Sequence, residues 1–288
     1  MRLKHCIACP PLPFTRLSIA LIAIMLVLKI GGSMADSAGA LASDIASLVS
    51  SGEKIVLVHG GGPQVTALEK ASGREPSYIY SKEGFKSRRT DSQTIQNFVM
   101  AVGGGVNTSL TLQLRKAGVN AAGISASSGI VFAKRKILVS VENGKEKMIR
   151  DDYSGKISRI DASPLLALLE RGIVPIVAPI AIGEEFEPLN VDGDRAAAAI
   201  ASSLKAEKLI LFTDVEGYFR NFPNDLVEQA TSAEIPGFQK GASAGMKRKL
   251  VAVSEALIGG VPEVIICSGT KDKPATSALA GAGTHFVK

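Results

Sequence analysis

Short, almost wholly apolar runs punctuate the chain from residue 25 onward, at 25–30, 55–58, 173–180, 209–214 and 263–267. Runs of this length, bounded by turn residues, read as strands buried on both faces. NAAGIS at 120–125 reads as a further strand. Between the runs, apolar positions recur at helical spacing. Leu41, Ile45, Leu48 and Val49 predict a helix over 37–51, closed by Gly52. Another helix starts at Pro63, a residue suited to a first helical turn. Residues 91–117 read as one or two helices, disturbed by Gly103-Gly104-Gly105, each glycine costing about 1 kcal/mol relative to alanine. Residues 130–150 alternate around Asn143-Gly144, a hairpin signal. Further helices are predicted over 164–171, 194–204 and 246–258 and near 274–280.

Apolar strands alternating with helices predict an α/β fold, an open three-layer αβα sandwich around a mostly parallel sheet. No Pro/Gly/Ser linker interrupts the chain after residue 25 and no internal repeat is visible. The expected organisation is therefore two lobes, 25–200 and 201–288, on one continuous sheet.

Composition narrows the class. Hydrophobic residues at 46% exclude global disorder. The absence of Trp and only 5% aromatics argue against a nucleic-acid stacking surface. Three cysteines cannot form a disulfide scaffold, which points to a reducing, cytoplasmic setting. The formal charge is +6, and half of it comes from Arg2, Lys4 and Arg16 in residues 1–24. The apolar run 17–28 that follows resembles a signal or an anchor, yet it is shorter than the roughly 20 residues of a membrane span. It also runs straight into the predicted strand 25–30. Residues 1–24 therefore read as an extension outside the fold, from a start assigned upstream of Met25 or as a disordered tail, with a real anchor as the third alternative; no membrane association is expected. Cys6 and Cys9 form a single CxxC without a second pair, and no metal site is predicted.

Three predicted strands end in glycine-rich or small polar turns: KIGGS (29–33), HGGGPQ (59–64) and CSGTKDKP (267–274). Ligands of open α/β sheets bind beyond the carboxyl ends of the strands. Glycine there lets backbone N–H groups approach an anion. There is no GxxxxGK[ST], and no GxGxxG follows the first strand. Lys29 lies in an apolar strand, costly without an anionic partner. Lys249 sits at a helix start, where an anion is favoured. Asp194 opens a helix and reads either as its N-cap or as the group that holds the lysines; Asp214 ends a strand. Phosphoryl transfer needs alignment and charge neutralisation more than covalent chemistry. Two lysines placed by an aspartate would supply both. His5, His59 and His285 are too few and too scattered for a Ser–His–Asp arrangement.

KIGG, HGGGP, PLNVDGD, TDVEG and GMKRK, in this order over residues 25–288, resemble the amino acid kinase family. Within it the chain looks like the acetylglutamate kinase branch. It is most similar to the subgroup that phosphorylates 2-aminoadipate or glutamate held on the carrier protein LysW. RDDYSGKI (150–157), EGFKSRRT (83–90) and SGTKDKP (268–274) carry that cue. The resemblance implies transition-state roles for Lys29 and Lys249, with Asp194 orienting both. It implies that Gly61, Gly62, Arg88 and Asn190 hold the substrate's α-side carboxylate and blocking group, with Arg88 preferred to Arg89. Gly31, Gly32, Asp214, Ser268 and Gly269 would serve ATP with Mg²⁺. It further implies a homodimer and an acidic LysW-type partner, facing a basic rim of Lys134, Arg135, Lys136, Lys145, Lys147, Arg150 and Lys156. Plain N-acetylglutamate kinase activity is the alternative enzyme reading, and a non-catalytic small-molecule sensor is the alternative of another class. Two departures stand out: the triple glycine at 103–105, and Asn107-Thr108 where relatives often carry Asn-Lys.

Overall fold

The computed structural model describes residues 24–80, 86–142 and 145–288. The N-terminal extension with Cys6 and Cys9, part of EGFKSRRT, and Asn143-Gly144 lie outside the described residues.

The centre is an eight-stranded sheet. Its spatial order is Gln229–Thr231, Thr284–Val287, Glu263–Ser268, Lys208–Thr213, Met25–Ile30, Lys54–His59, Val174–Ala178 and Ala121–Ser125. Neighbouring strands pair in parallel except Glu263–Ser268 with Thr284–Val287, which pair antiparallel. Because strand side chains alternate, an all-apolar strand feeds two cores. Leu26, Leu28 and Ile30 pack with Leu41, Leu110 and Ala278 from the helices Gly39–Ser50, Asn107–Lys116 and Pro274–Leu279. Val27 faces the other way, with Ala196, Ala197 and Leu250 from the helices Gly193–Leu204 and Ala244–Ile258. The expected sandwich is therefore present.

A second, four-stranded sheet was not anticipated in extent. It runs Pro188–Asn190, Ile180–Ile182, Val131–Arg135, Gly155–Ile160. The run 173–180, read as one strand, divides at Pro179 between the two sheets, because proline has no N–H to continue a ladder. The expected hairpin is the pair Leu138–Glu142 and Lys145–Ile149.

The triple glycine does not break its helix. Ser92–Phe98 continues through a π-helical stretch, Val99–Val106, into Asn107–Lys116. The glycine cost has a packing reason at Gly103, whereas a Cβ on Gly104 would meet nothing within 4 Å and one on Gly105 only the Met100 carbonyl at 3.9 Å. A Cβ on Gly103 would lie 2.9 Å from Ile180 Cδ1, and one on Gly61 would lie 2.6 Å from Val102 Cγ2. The π-helical stretch is pressed against both the second sheet and the HGGGP turn. Asn107, at its end, donates from Nδ2 to His59 Nε2 (2.9 Å) and to the Ile176 carbonyl (2.8 Å), so a buried amide holds helix and sheet together.

Candidate active site

Lys29 shares a strand with Val27, two residues away, and so faces the helix Gly193–Leu204 rather than the opposite core. Its Nζ lies 2.5 Å from Asp194 Oδ1. Lys249, in the first turns of Ala244–Ile258, donates to the same carboxylate at 3.2 and 3.3 Å. One aspartate thus joins two lysines 220 positions apart in sequence. The first turn of the helix explains why Asp194 is available. Its N-cap is Asp192, whose Oδ1 accepts from the Asp194 and Arg195 N–H groups, each at 3.0 Å. The N-cap reading of Asp194 is corrected accordingly. Between them, Gly193 leaves room for the Lys29 stem: a Cβ there would lie 3.4 Å from Lys29 Cε.

Burial by itself would raise the Asp194 carboxyl. The charges of Lys29 and Lys249 outweigh it and hold the group well below the usual carboxylate range. Burial and the Lys29 charge push Lys249 down, with Asp194 opposing them. His59 ends the strand Lys54–His59 at zero exposure. Burial, helped by the Lys29 charge and opposed by its bond to Gly60, lowers its imidazole to about 4. Neutral at pH 7, it donates from Nδ1 to the Gly60 carbonyl (2.8 Å) and accepts from Asn107 at Nε2. It therefore props the glycine turn from behind.

The turns after the first two strands abut: a Cβ on Gly32 would lie 2.7 Å from the Gly61 backbone. Lys29, Gly32, Gly61, Gly62, Asp194 and Lys249 line one cavity of about 260 Å³. It opens into a cleft of about 800 Å³ lined by Gly61, Gly62, Arg88, Asn190, Ser154 and Lys136, among others. Arg88 is pinned there by an ion pair with buried Glu69, and it donates to Thr66 Oγ1 (2.6 Å) and the Gly62 carbonyl (3.1 Å). Arg89 instead pairs with Asp151 at 3.1 Å outside the cleft, so the two neighbouring arginines, between which the resemblance preferred Arg88, part company. Asn190 Nδ2 donates to Thr90 Oγ1 (3.0 Å). Buried Asp152 accepts from the Thr90 and Ser154 N–H groups, which ties the Tyr-Ser-Gly-Lys segment to the cleft wall.

The remaining predicted residues lie elsewhere. Ser268 lines a separate groove of about 220 Å³ with Lys271 and Glu216. Gly269 is pressed between Met34 and Phe212, where a Cβ would lie 1.9 Å from Met34 Cε. Met34 belongs to the turn Gly32–Ser37, so the first and last strand turns touch. Gly31 precedes that turn as its N-terminal flank. Asp214 is exposed and accepts from its neighbour Thr213 (3.0 Å). Of the expected basic rim, Lys134 pairs with Glu184 and Arg135 with Glu187, Lys136 enters the cleft, and Arg150 and Lys156 are exposed. The side chains of Lys145 and Lys147 lie outside the described residues. Glu69, Thr90 and Asp192 were not singled out by sequence reasoning, and Lys136 was assigned to the carrier-facing rim rather than to the cleft. Of the first three, only Asp192 left a signal there, as a capping residue before a helix.

Residues 25–268 match the Amino acid kinase family. The chain belongs to the amino acid kinase family. A protein of Deinococcus radiodurans named [LysW]-aminoadipate kinase is 38% identical over 264 residues, 90% of this chain and 90% of that protein. A Cenarchaeum symbiosum protein provisionally named a LysW-aminoadipate/LysW-glutamate kinase is 40% identical over 260 residues, 89% of this chain and 96% of its own. Among solved structures, the N-acetylglutamate synthase of Neisseria gonorrhoeae, complexed with coenzyme A and N-acetyl-glutamate, superposes with a TM-score of 0.75 at 28% identity. That match covers 92% of this chain and 59% of the longer synthase chain. Among the described residues, no helix of this amino acid kinase is long and apolar enough to cross a membrane.

Proposed function

We propose that the protein transfers the γ-phosphoryl group of ATP to the side-chain carboxylate of 2-aminoadipate, glutamate or both, carried on an acidic LysW-type protein. The observation that carries this reading is the buried Lys29–Asp194–Lys249 cluster lining a cavity that shares the Gly60–Gly62 turn with the larger cleft. The acyl substrate enters the larger cleft, with its α-carboxylate on Arg88 and Asn190 and its reacting carboxylate directed toward Gly61 and Gly62. A carboxylate oxygen attacks the γ-phosphorus, the bond to the β,γ-bridging oxygen breaks, and acyl phosphate and ADP result. Lys29 and Lys249 neutralise charge that grows on the transferred oxygens, and Asp194 keeps both ammonium groups in place without further reorganisation. Among the described residues no group of three or more His, Cys, Asp or Glu side chains could hold a metal, and Asp194 is already shared by two lysines. Mg²⁺ would enter as a companion of the nucleotide and would lower the charge of its phosphates. The turn at Ser268-Gly269 and Asp214 stand on the proposed nucleotide side, and the protein is proposed to act as a homodimer.

The test is ADP release with carrier-linked aminoadipate, carrier-linked glutamate and free N-acetylglutamate, side by side. Turnover of either carrier-linked substrate, with the KM for the carrier rising with salt, is expected. Preference for free N-acetylglutamate would replace the carrier reading with plain N-acetylglutamate kinase activity. Binding without turnover of any of the three would leave a sensor.

A further inference from the structure

The charged groups of the acyl cleft do not balance: Lys70 and Arg248 are exposed at its wall, whereas half-buried Lys136 forms no ion pair among the described residues. The cleft walls carry Lys70, Arg88, Lys136 and Arg248 against Asp192 alone. Asp192 Oδ1 accepts from the first N–H groups of its helix. Arg88 has Glu69 behind it. Lys136 follows the strand Val131–Arg135 and is held by its backbone N–H donating to the Ser154 carbonyl (2.8 Å). Its preceding neighbours Lys134 and Arg135 have Glu184 and Glu187, but no ion pair to the Lys136 ammonium occurs among the described residues. Burial, then the charge of Arg195, pushes its pKa down, and Asp192 and Asp152 oppose this only in part. A half-buried ammonium lining a ligand cleft is stabilised when an anion arrives.

A carboxylate kinase substrate already has one place for each of its two ordinary anions. The reacting carboxylate goes to the Gly61-Gly62 turn, where Lys29 and Lys249 serve the transferred phosphoryl group, and the α-carboxylate to Arg88 and Asn190. Lys136 remains for a third anion, on the group that blocks the amino nitrogen. It also sits at the base of the Leu138–Ile149 hairpin and beside Ser154. We propose that Lys136 is a specificity-determining residue that binds a carboxylate on the acyl cap, so that the cleft selects an amino acid blocked by an acidic residue over one blocked by a neutral acyl group. This inference rests on the carboxylate-kinase reading above.

The test needs no carrier. The full chain is assayed with MgATP on two acceptors of equal length, N-glutaryl-2-aminoadipate and N-pentanoyl-2-aminoadipate, which differ by a terminal carboxylate in place of a methyl. Acyl phosphate is trapped as hydroxamate. The wild type is expected to favour the glutaryl acceptor by about tenfold or more in kcat/KM, chiefly through KM. Lys136→Met is expected to bring that ratio close to one, and Lys136→Arg to restore part of it. Equal kcat/KM for both acceptors in the wild type overturns the proposal. So does an unchanged ratio in Lys136→Met, or a proportional loss on both acceptors. If neither acceptor yields acyl phosphate, the kinase reading falls and this inference with it; turnover without cap preference removes this inference alone.

Discussion

At the Lys29–Asp194–Lys249 centre two ammonium groups share one buried carboxylate, whereas in the adjoining cleft Arg88 has its own carboxylate in Glu69 and Lys136 forms no ion pair among the described residues. Both regions share the Gly60–Gly62 turn. They differ in what must be ready before the substrate arrives. Transition-state charge is short-lived, and donors that had to reorganise to meet it would lose much of their effect. The centre is therefore locked within the protein. Substrate carboxylates are permanent charges, and the cleft can leave a cation for them to complete.

Four substitutions or conditions break or sharpen this contrast, in descending order of effect. Asp194→Asn leaves two buried ammonium groups without their anion. It should cost about 3–5 kcal/mol in urea unfolding, and a loss under about 1 kcal/mol would mean that the centre is not locked by charge. Lys29→Ala keeps the Lys249–Asp194 pair, so its penalty should fall on chemistry. A kcat at least about 100-fold lower with little change in ATP affinity is expected, and normal kcat would remove Lys29 from the reaction.

The third concerns the prop behind the shared turn. The His59 imidazole has a pKa of about 4 in the folded protein against about 6.5 in an unfolded chain. Between those values the unfolded state binds a proton that the folded state does not, so stability falls as pH falls through that window. From pH 7 to 5 the loss assigned to this group is about 2 kcal/mol. Comparing the pH 7-to-5 change of wild type and His59→Gln isolates it; identical changes would show that His59 is not the titrating group. Smallest is Glu69→Gln, which loosens Arg88 in the cleft. An acyl-substrate KM raised about tenfold at nearly constant kcat is expected, whereas a kcat-dominated defect would join cleft and centre into one unit.

Much of the fold was legible because buried parallel strands must be apolar on both faces. The runs at 25–30, 55–58, 209–214 and 263–267 became neighbouring or near-neighbouring strands of one sheet. The short strands Pro188–Asn190, Ile180–Ile182 and Thr284–Val287 left no such mark. They are three or four residues long, too short for periodicity to register, and their pairing comes from distant segments. The triple glycine looked like a defect. The reason for Gly103, its close approach to Ile180, exists only once separate segments are packed.

Residue types and their spacing alone determined that this chain builds an α/β sandwich with glycine turns at its strand ends, and that Lys29 needed an anion, because an ammonium in an apolar strand has no other stable outcome. Tertiary structure decided which anion. It gave the helix cap to Asp192 and freed Asp194 for two lysines, placed Arg88 and not Arg89 in the cleft, and turned Lys136 inward from a stretch that reads as surface charge. Each of these choices depends on distances between segments far apart in the chain, and electrostatic energy depends on separation in space, which linear order does not record.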